Sequence, residues 1–243
     1  MTPVLYVIPA PLGGAALDAL PAAAVGVVRE LKDFVAENPR SARAFLSALG
    51  MPVALRELNI GRLDEHTRAQ DLPGLLAPLR EGRSLGLLSE AGCPGVADPG
   101  APLVGMAHRE GYRVAPLVGP SSILLALMAS GLEGQRFAFC GYLPREHRQR
   151  AQRIRELEIR SRFERETEIF IETPYRNDAI AAALLQVCAP ETKLCLASDL
   201  QDLFHEQAAN GDALRAGLSG DEVAPQEGNG YLRGLPRRGD DTH

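Results

Sequence analysis

Short, largely apolar runs alternate with helix-period stretches through the first half of the chain. Val4–Ile8, Leu31–Ala36, Pro52–Leu58 and Ser84–Leu88 are bounded by proline, glycine, asparagine or charge, the pattern of strands buried on both faces. Between them, apolar positions at helical spacing predict a helix over Ala42–Leu49, with Ser41 as its cap. Further helices are predicted over Asp71–Glu81, with Pro73 in its first turn, and over Pro102–Glu110, followed by Gly111 at the C′ position. Strand–helix alternation of this kind predicts a parallel sheet covered on both faces. The two prolines and glycine of Pro116–Pro120 form a short, stiff linker, after which the pattern restarts. Helix is predicted over Ser122–Ser130, Arg145–Arg162 and Asp178–Val187, and strand over Phe137–Gly141, Thr167–Thr173 and Leu194–Ser198. The expected organisation is an α/β domain over 1–117, a second α/β domain over 118–225, and a glycine- and charge-rich tail over 226–243. The tail lacks an apolar strand and has the composition of a disordered segment.

The chemistry concentrates where strands end. After Leu85–Leu88 the chain reads Ser89-Glu90-Ala91-Gly92-Cys93-Pro94-Gly95-Val96-Ala97-Asp98-Pro99-Gly100, a loop with three glycines and two prolines. Glycine lets backbone amides approach a ligand, and proline holds the loop in shape. In open α/β sheets, ligands sit outside the carboxyl ends of strands. An ordinary strand-to-helix turn has the same local signature. Two further stretches are similar in kind: Leu5-Tyr6-Val7-Ile8-Pro9-Ala10-Pro11-Leu12-Gly13-Gly14, and Val114-Ala115-Pro116-Leu117-Val118-Gly119-Pro120-Ser121-Ser122. The first lacks the lysine and spacing of a Walker A motif and is not GxGxxG, so a nucleotide phosphate site is not expected there.

Together with Gly141-Tyr142-Leu143-Pro144 and Phe170-Ile171-Glu172-Thr173-Pro174-Tyr175-Arg176, these stretches resemble the tetrapyrrole methylase superfamily, from about Leu5 to about Asp199. Within it the chain looks most like the bacterial small-subunit rRNA 2′-O-ribose methyltransferases and their uncharacterised paralogues. The resemblance implies two αβα domains with S-adenosyl-L-methionine (SAM) in the cleft between them. It implies cofactor contacts from Pro11, from Ser89, Ala91, Gly92, Cys93, Val96 and Asp98, from Ser121 and Ser122, and from Thr173, Tyr175 and Ala197. The superfamily often has aspartate, and the rRNA branch threonine, where Cys93 stands. It also implies a homodimer. The related rRNA enzymes carry an acidic pair and then Thr-Arg after the second strand. Glu37 and Arg40 match that pattern as candidate substrate contacts, whereas Asn38 and Pro39 depart from it.

Charge sharpens the substrate question. The net charge of −5 argues against nonspecific coating of nucleic acid. Locally, however, Arg145–Arg165 holds eight arginines against four glutamates. Guanidinium forks grip phosphate oxygens bidentately, so Arg148, Arg150, Arg153 and Arg155 are candidate contacts to rRNA or the small ribosomal subunit. A solvated helix face with pairs such as Arg160–Glu164 would give the same pattern. Arg176 is a further substrate candidate, or pairs with Glu172. No general base is identifiable. A tetrapyrrole or other small acceptor, and SAM or RNA binding without catalysis, remain alternative readings.

Composition adds exclusions. Cys93, Cys140, Cys188 and Cys195 form no CxxC pair, and sulfonium methyl transfer requires no metal, so none is expected. No apolar run is long enough to span a bilayer and no signal peptide pattern opens the chain, so a cytoplasmic protein without membrane partners is expected.

Overall fold

The computed structural model describes residues 2–13, 16–197, 200 and 208–209. The chain divides into two compact units, Met1–Ser122 and Ile123–His243. The tail expected to be disordered, 226–243, lies outside the described residues.

In the first unit, β1 (Val4–Ile8) leads through α1 (Ala16–Ala19) and α2 (Ala22–Arg29) to β2 (Asp33–Ala36). Then follow α3 (Pro39–Ala48), β3 (Asn59–Arg62), α4 (Leu72–Leu75), α5 (Ala77–Arg80), β4 (Leu85–Leu88), α6 (Ala101–Arg109) and β5 (Arg113–Pro116). The five strands form one sheet in the order β3-β2-β4-β1-β5, every pair parallel. Period-2 alternation splits the apolar runs between two cores. Ile8, Phe34, Ala36 and Leu88 face α2 and α3, packing on Val28, Leu46 and Leu49. Leu5, Val35, Leu85 and Leu87 face the other side, against Leu72, Leu79, Leu103 and Ala107 of α4, α5 and α6 and against Leu76 between the first two. Burial on both sides explains why the central strands read as continuous apolar runs. Gly86 is needed in the middle of β4, because a Cβ there would lie 2.7 Å from both Ile8 Cδ1 and Phe34 Cδ1.

The structure corrects three local expectations. Pro52–Leu58 is not a strand: Leu55–Glu57 is a 3₁₀ turn, and β3 begins at Asn59. As the edge of the sheet, β3 is only partly covered, so Asn59–Arg62 carries no apolar signature. The helix over Asp71–Glu81 is two short helices. Pro78 has no N–H to continue the first ladder, and it opens the second helix instead. The third helix starts at Pro39 rather than Ala42. Asn38 caps it, its Oδ1 accepting from Arg40 N at 3.0 Å, with Pro39 in the favoured first position. The residues that depart from the family pattern thus serve to start α3.

Asp33 opens β2 at the amino end of the sheet, 3% exposed. It accepts from Arg83 Nε at 2.9 Å and Asn59 Nδ2 at 3.0 Å. Burial alone would raise its pKa, but these bonds and the charge of Arg83 outweigh it and hold the carboxyl below its ordinary value. Asp33→Ala is therefore expected to cost about 2 kcal/mol at neutral pH, since hydrogen bonds to charged groups contribute about that much. Arg83 stays half-exposed and paired with Glu81, which limits the loss. A depressed folded-state pKa stabilises above the ordinary carboxyl range, and that stability is lost as pH falls through the lowered value. Urea melts of parent and variant should differ at pH 7 and converge in acid; a difference that persists in acid would assign the effect to packing.

In the second unit, α7 (Ser122–Ser130) precedes β6 (Phe137–Tyr142), α8 (His147–Glu164), β7 (Thr167–Ile171) and α9 (Asn177–Val187). A short antiparallel pair follows, β8 (Cys195–Leu196) with β9 (Ala208–Ala209). β6 and β7 are parallel, joined through α8, as a parallel pair requires a long crossover. Ile154 and Leu157 of α8 pack with Ile180 and Leu184 of α9 in one core.

Candidate functional site

Because all five strands of the first unit are parallel, the loops after them emerge at one end of the sheet. Those loops hold Pro11, Glu37, Ser89–Asp98 and Ser121, the first-unit candidates. Register brings them together: Ala36 of β2 and Leu88 of β4 are paired, so Glu37 and Ser89 leave the sheet side by side.

The loop after β4 is held by its own side chains and by its neighbours. Gly92 exchanges two backbone hydrogen bonds with Ala10 of the first loop, at 2.9 and 3.0 Å. The Ser89 hydroxyl donates to Gly92 O at 2.7 Å. Asp98 Oδ1 accepts from Gly95 N at 2.8 Å and Gly100 N at 2.7 Å. Cys93 Sγ donates to Pro120 O at 3.4 Å, and burial pushes its thiol pKa up, so it remains a donor. Gly92 and Gly95 adopt φ of +68° and +81°, and even Ala97 is left-handed at +53°. Such a backbone persists only where surrounding bonds over-determine it, and here Asp98 supplies them. Gly119 completes the cluster, since a Cβ there would lie 2.5 Å from Pro9 Cβ.

A cavity of about 530 Å³ opens beside these loops, within the usual range of small-molecule sites. Its walls include Pro11 and Leu12, Ser41 and Phe45 of α3, and Ser89, Glu90 and Ala91. Of the remaining first-unit candidates, Val96 and Arg40 are exposed, Gly92 is buried, and Glu37, Cys93, Asp98, Ser121 and Ser122 are half-buried. None of these eight lines the cavity.

The surroundings of Glu37, beside the cavity, are acidic. Glu37 has its pKa raised, first by burial and then by Glu90, Asp98, Glu65 and Asp64. Glu90 lines the cavity and accepts the Ser41 hydroxyl at 2.6 Å. Sequence reasoning passed over Glu90 and Phe45. Glu90 was legible as a loop carboxylate, but only the packing of α3 on the sheet turns Ser41 and Phe45 toward it.

The second-unit candidates separate. Ala197 is half-buried, and Tyr175 is 78% exposed. Thr173 donates its N–H and hydroxyl to Glu172 Oε1, at 2.9 and 3.2 Å. Arg176 is turned inward: Nη2 reaches Leu143 O and Pro144 O at 3.4 and 3.2 Å, and Nη1 lies 3.3 Å from Glu172 Oε2. Arg150 is also buried, its Nη1 donating to Arg145 O at 3.0 Å, which removes it from the expected phosphate contacts. Arg153 pairs with Glu156. Arg160 pairs with Glu166 and Glu168 rather than Glu164, because the turn into β7 and β7 itself bring those carboxylates against α8.

The α/β fold, with its five-stranded parallel sheet, matches that of tetrapyrrole methylase structures. Among solved structures, the chain is similar to cobalt precorrin-4 methyltransferase CbiF, with a TM-score of 0.57 and 12% identity over 88% of each chain. It is also similar to the methyltransferase CobJ, with a TM-score of 0.54 and 20% identity over 88% of this chain and 90% of that one. No protein-family model matches it. It is 35% identical over 210 residues to ribosomal RNA small subunit methyltransferase I of Mesorhizobium japonicum, covering 85% of this chain and 66% of that protein. It is 31% identical over 238 residues to the protein of that name from Halalkalibacterium halodurans, covering 92% and 78%. The chain belongs to the ribosomal RNA small subunit methyltransferase I family. It spans about two thirds of the length of the first of these relatives.

Among the described residues, no helix is long and apolar enough to cross a membrane.

Proposed function

We propose that this protein is a SAM-dependent methyltransferase that modifies RNA of the small ribosomal subunit at a ribose 2′-oxygen. The observation that carries the reading is 31% identity to a ribosomal RNA small subunit methyltransferase I across 92% of this chain. The first unit suits the cofactor on its own chemistry. The cavity has the volume for a nucleoside-sized ligand, and its walls combine Leu12 and Phe45 with the polar Ser41, Ser89 and Glu90. The Glu90 carboxylate on its wall gives it a negative potential that favours a cationic sulfonium. Bound SAM supplies an activated methyl electrophile, its sulfur leaving as a neutral thioether.

The protein's own tasks are to orient the acceptor oxygen, to exclude water and to accept the hydroxyl proton. Ser89 and Asp98 hold the loop rigid, which fixes orientation. Glu37 is assigned as the proton acceptor: it leaves the sheet beside Ser89, and burial and its acidic neighbours raise its affinity for a proton.

Turnover of methyl-labelled SAM with small ribosomal subunits, free rRNA and a porphyrin precursor tests the reading. Label is expected in small-subunit RNA, in a dinucleotide resistant to alkali, because a methylated 2′-oxygen cannot attack the adjacent phosphate. Glu37→Gln should lower turnover while SAM affinity holds. Label confined to the porphyrin, or SAM binding without transfer to any acceptor, would overturn it.

A further inference from the structure

On α8, Arg150, Ile154 and Leu157 are buried, and the opposite face is open. At 3.6 residues per turn, Arg148, Gln152, Arg155, Ile159 and Phe163 fall on one stripe, with Arg162 at its edge. Ile159 is 68% exposed and Phe163 84% exposed. The helix carries Glu156, Glu158 and Glu164; Glu156 borders the stripe, accepting from Gln152 at 2.9 Å, and the other two lie off it. Glu156 takes Arg153, Glu164 takes Arg136, and Glu158 accepts from Ala189 N at 2.8 Å. Among the described residues, Arg148 and Arg155 have no carboxylate partner, whereas Arg162 meets only the exposed Glu191, at 3.6 Å. One half of the stripe thus offers unneutralised guanidinium groups and the other an exposed aromatic ring.

We propose that this face of α8 is a docking surface for a single-stranded RNA segment, with Arg148 and Arg155 on its phosphates and an unpaired base stacked on Phe163. The cationic half is complementary to a polyanion. The aromatic half selects the kind of polyanion. A duplex hides its base faces, whereas unstacked bases pair with exposed aromatic rings and arginines grip the intervening phosphates. From Arg148 to Phe163 the stripe runs about 22 Å at 1.5 Å per residue, room for several nucleotides. The proposal rests on the RNA-substrate reading above and gives it a place on the second unit.

The test is fluorescence anisotropy of the full chain with a labelled, unstructured RNA oligonucleotide across a salt series, beside a duplex of the same sequence. Arg148→Gln with Arg155→Gln should reduce the slope of log affinity against log salt by about 1.4, at roughly 0.7 per phosphate contact on a single strand. Phe163→Leu keeps apolar volume but loses the ring, and should weaken single-strand binding about tenfold with the slope unchanged. Phe163→Trp should restore it, and duplex binding should hardly respond to either change. At their exposure, these side chains can be replaced without unfolding the protein. An unchanged salt slope, equal affinity for Phe163→Leu, or a Phe163→Leu variant that instead splits a dimer in sedimentation would each overturn the surface. Methyl transfer to small-subunit RNA is measured separately on the same proteins. If transfer fails but the variants shift RNA binding as stated, the surface stands and the methyltransferase reading falls. If transfer succeeds and the variants change nothing, the reverse holds.

Discussion

Gly92→Val is expected to abolish SAM binding while leaving the helix content of the parent. Gly92 sits at φ +68°, where a β-branched side chain is strained by about 1–3 kcal/mol. Strain alone, expressed on the loop that forms the cavity wall, would weaken binding roughly 5- to 150-fold. Sterics add to it. A Cβ at this position already lies 3.3 Å from Leu12 Cδ2, and the two methyls of valine extend beyond that. Leu12 lines the cavity, so relief of the clash moves a wall of the site. The loop cannot relax elsewhere, because Gly92 is tied to Ala10 by two backbone bonds and its carbonyl also holds the Ser89 hydroxyl. Gly92→Ala tests the backbone strain with the least added volume and should fall between parent and valine. Calorimetry with SAM at one temperature, with circular dichroism alongside, checks this. Equal affinity in parent and Gly92→Val would place the cofactor away from this loop. A folded parent that binds no SAM would overturn the proposed function itself.

Arg176→Ala is expected to destabilise the second unit by about 3–5 kcal/mol, the range for breaking a buried ion pair from one side. The Glu172 side chain is 7% exposed and that of Arg176 14%. Removing the guanidinium leaves the Glu172 carboxylate buried with its charge uncompensated, and also strips the Leu143 and Pro144 carbonyls of their donor. Denaturant unfolding should show an early transition for the second unit, with the first unit unaffected. Adding Glu172→Gln removes the stranded charge and should recover part of the loss. Were Arg176→Ala to melt with the parent and lose only RNA affinity, Arg176 would return to the substrate contacts that its sequence position suggested.

Glu172 and Arg176 illustrate where sequence reading stops. Spacing showed both readings, an ion pair or an arginine free for substrate, and could not choose. The choice depends on whether the Leu143 and Pro144 carbonyls, more than thirty residues upstream, lie within reach. Arg150 is similar: eight arginines in a row of helical turns are equivalent in the sequence until α9 packs on one side of α8 and decides which of them faces inward.

What the sequence determined by itself was local. Apolar runs of strand length marked β1, β2 and β4, because strands covered on both faces need no polar position. Gly111 marked the end of α6 and adopts φ +78°, a conformation that glycine takes at no steric cost. The glycine- and proline-rich loops at Pro9, Ser89 and Leu117 stood out for the same reason. Only the tertiary structure decided what depends on neighbours distant in sequence. The edge strand Asn59–Arg62 has no apolar signature because nothing covers it fully. Asn38 displaced Ser41 as the cap because Pro39 could open the helix one turn earlier, which left Ser41 to face Glu90. The cavity exists because strand order 3-2-4-1-5 sets the first loop against the fourth, through Ala10 and Gly92, eighty-two residues apart. Local propensity acts over a few residues, whereas the burial and pairing that build this site act across the whole sheet.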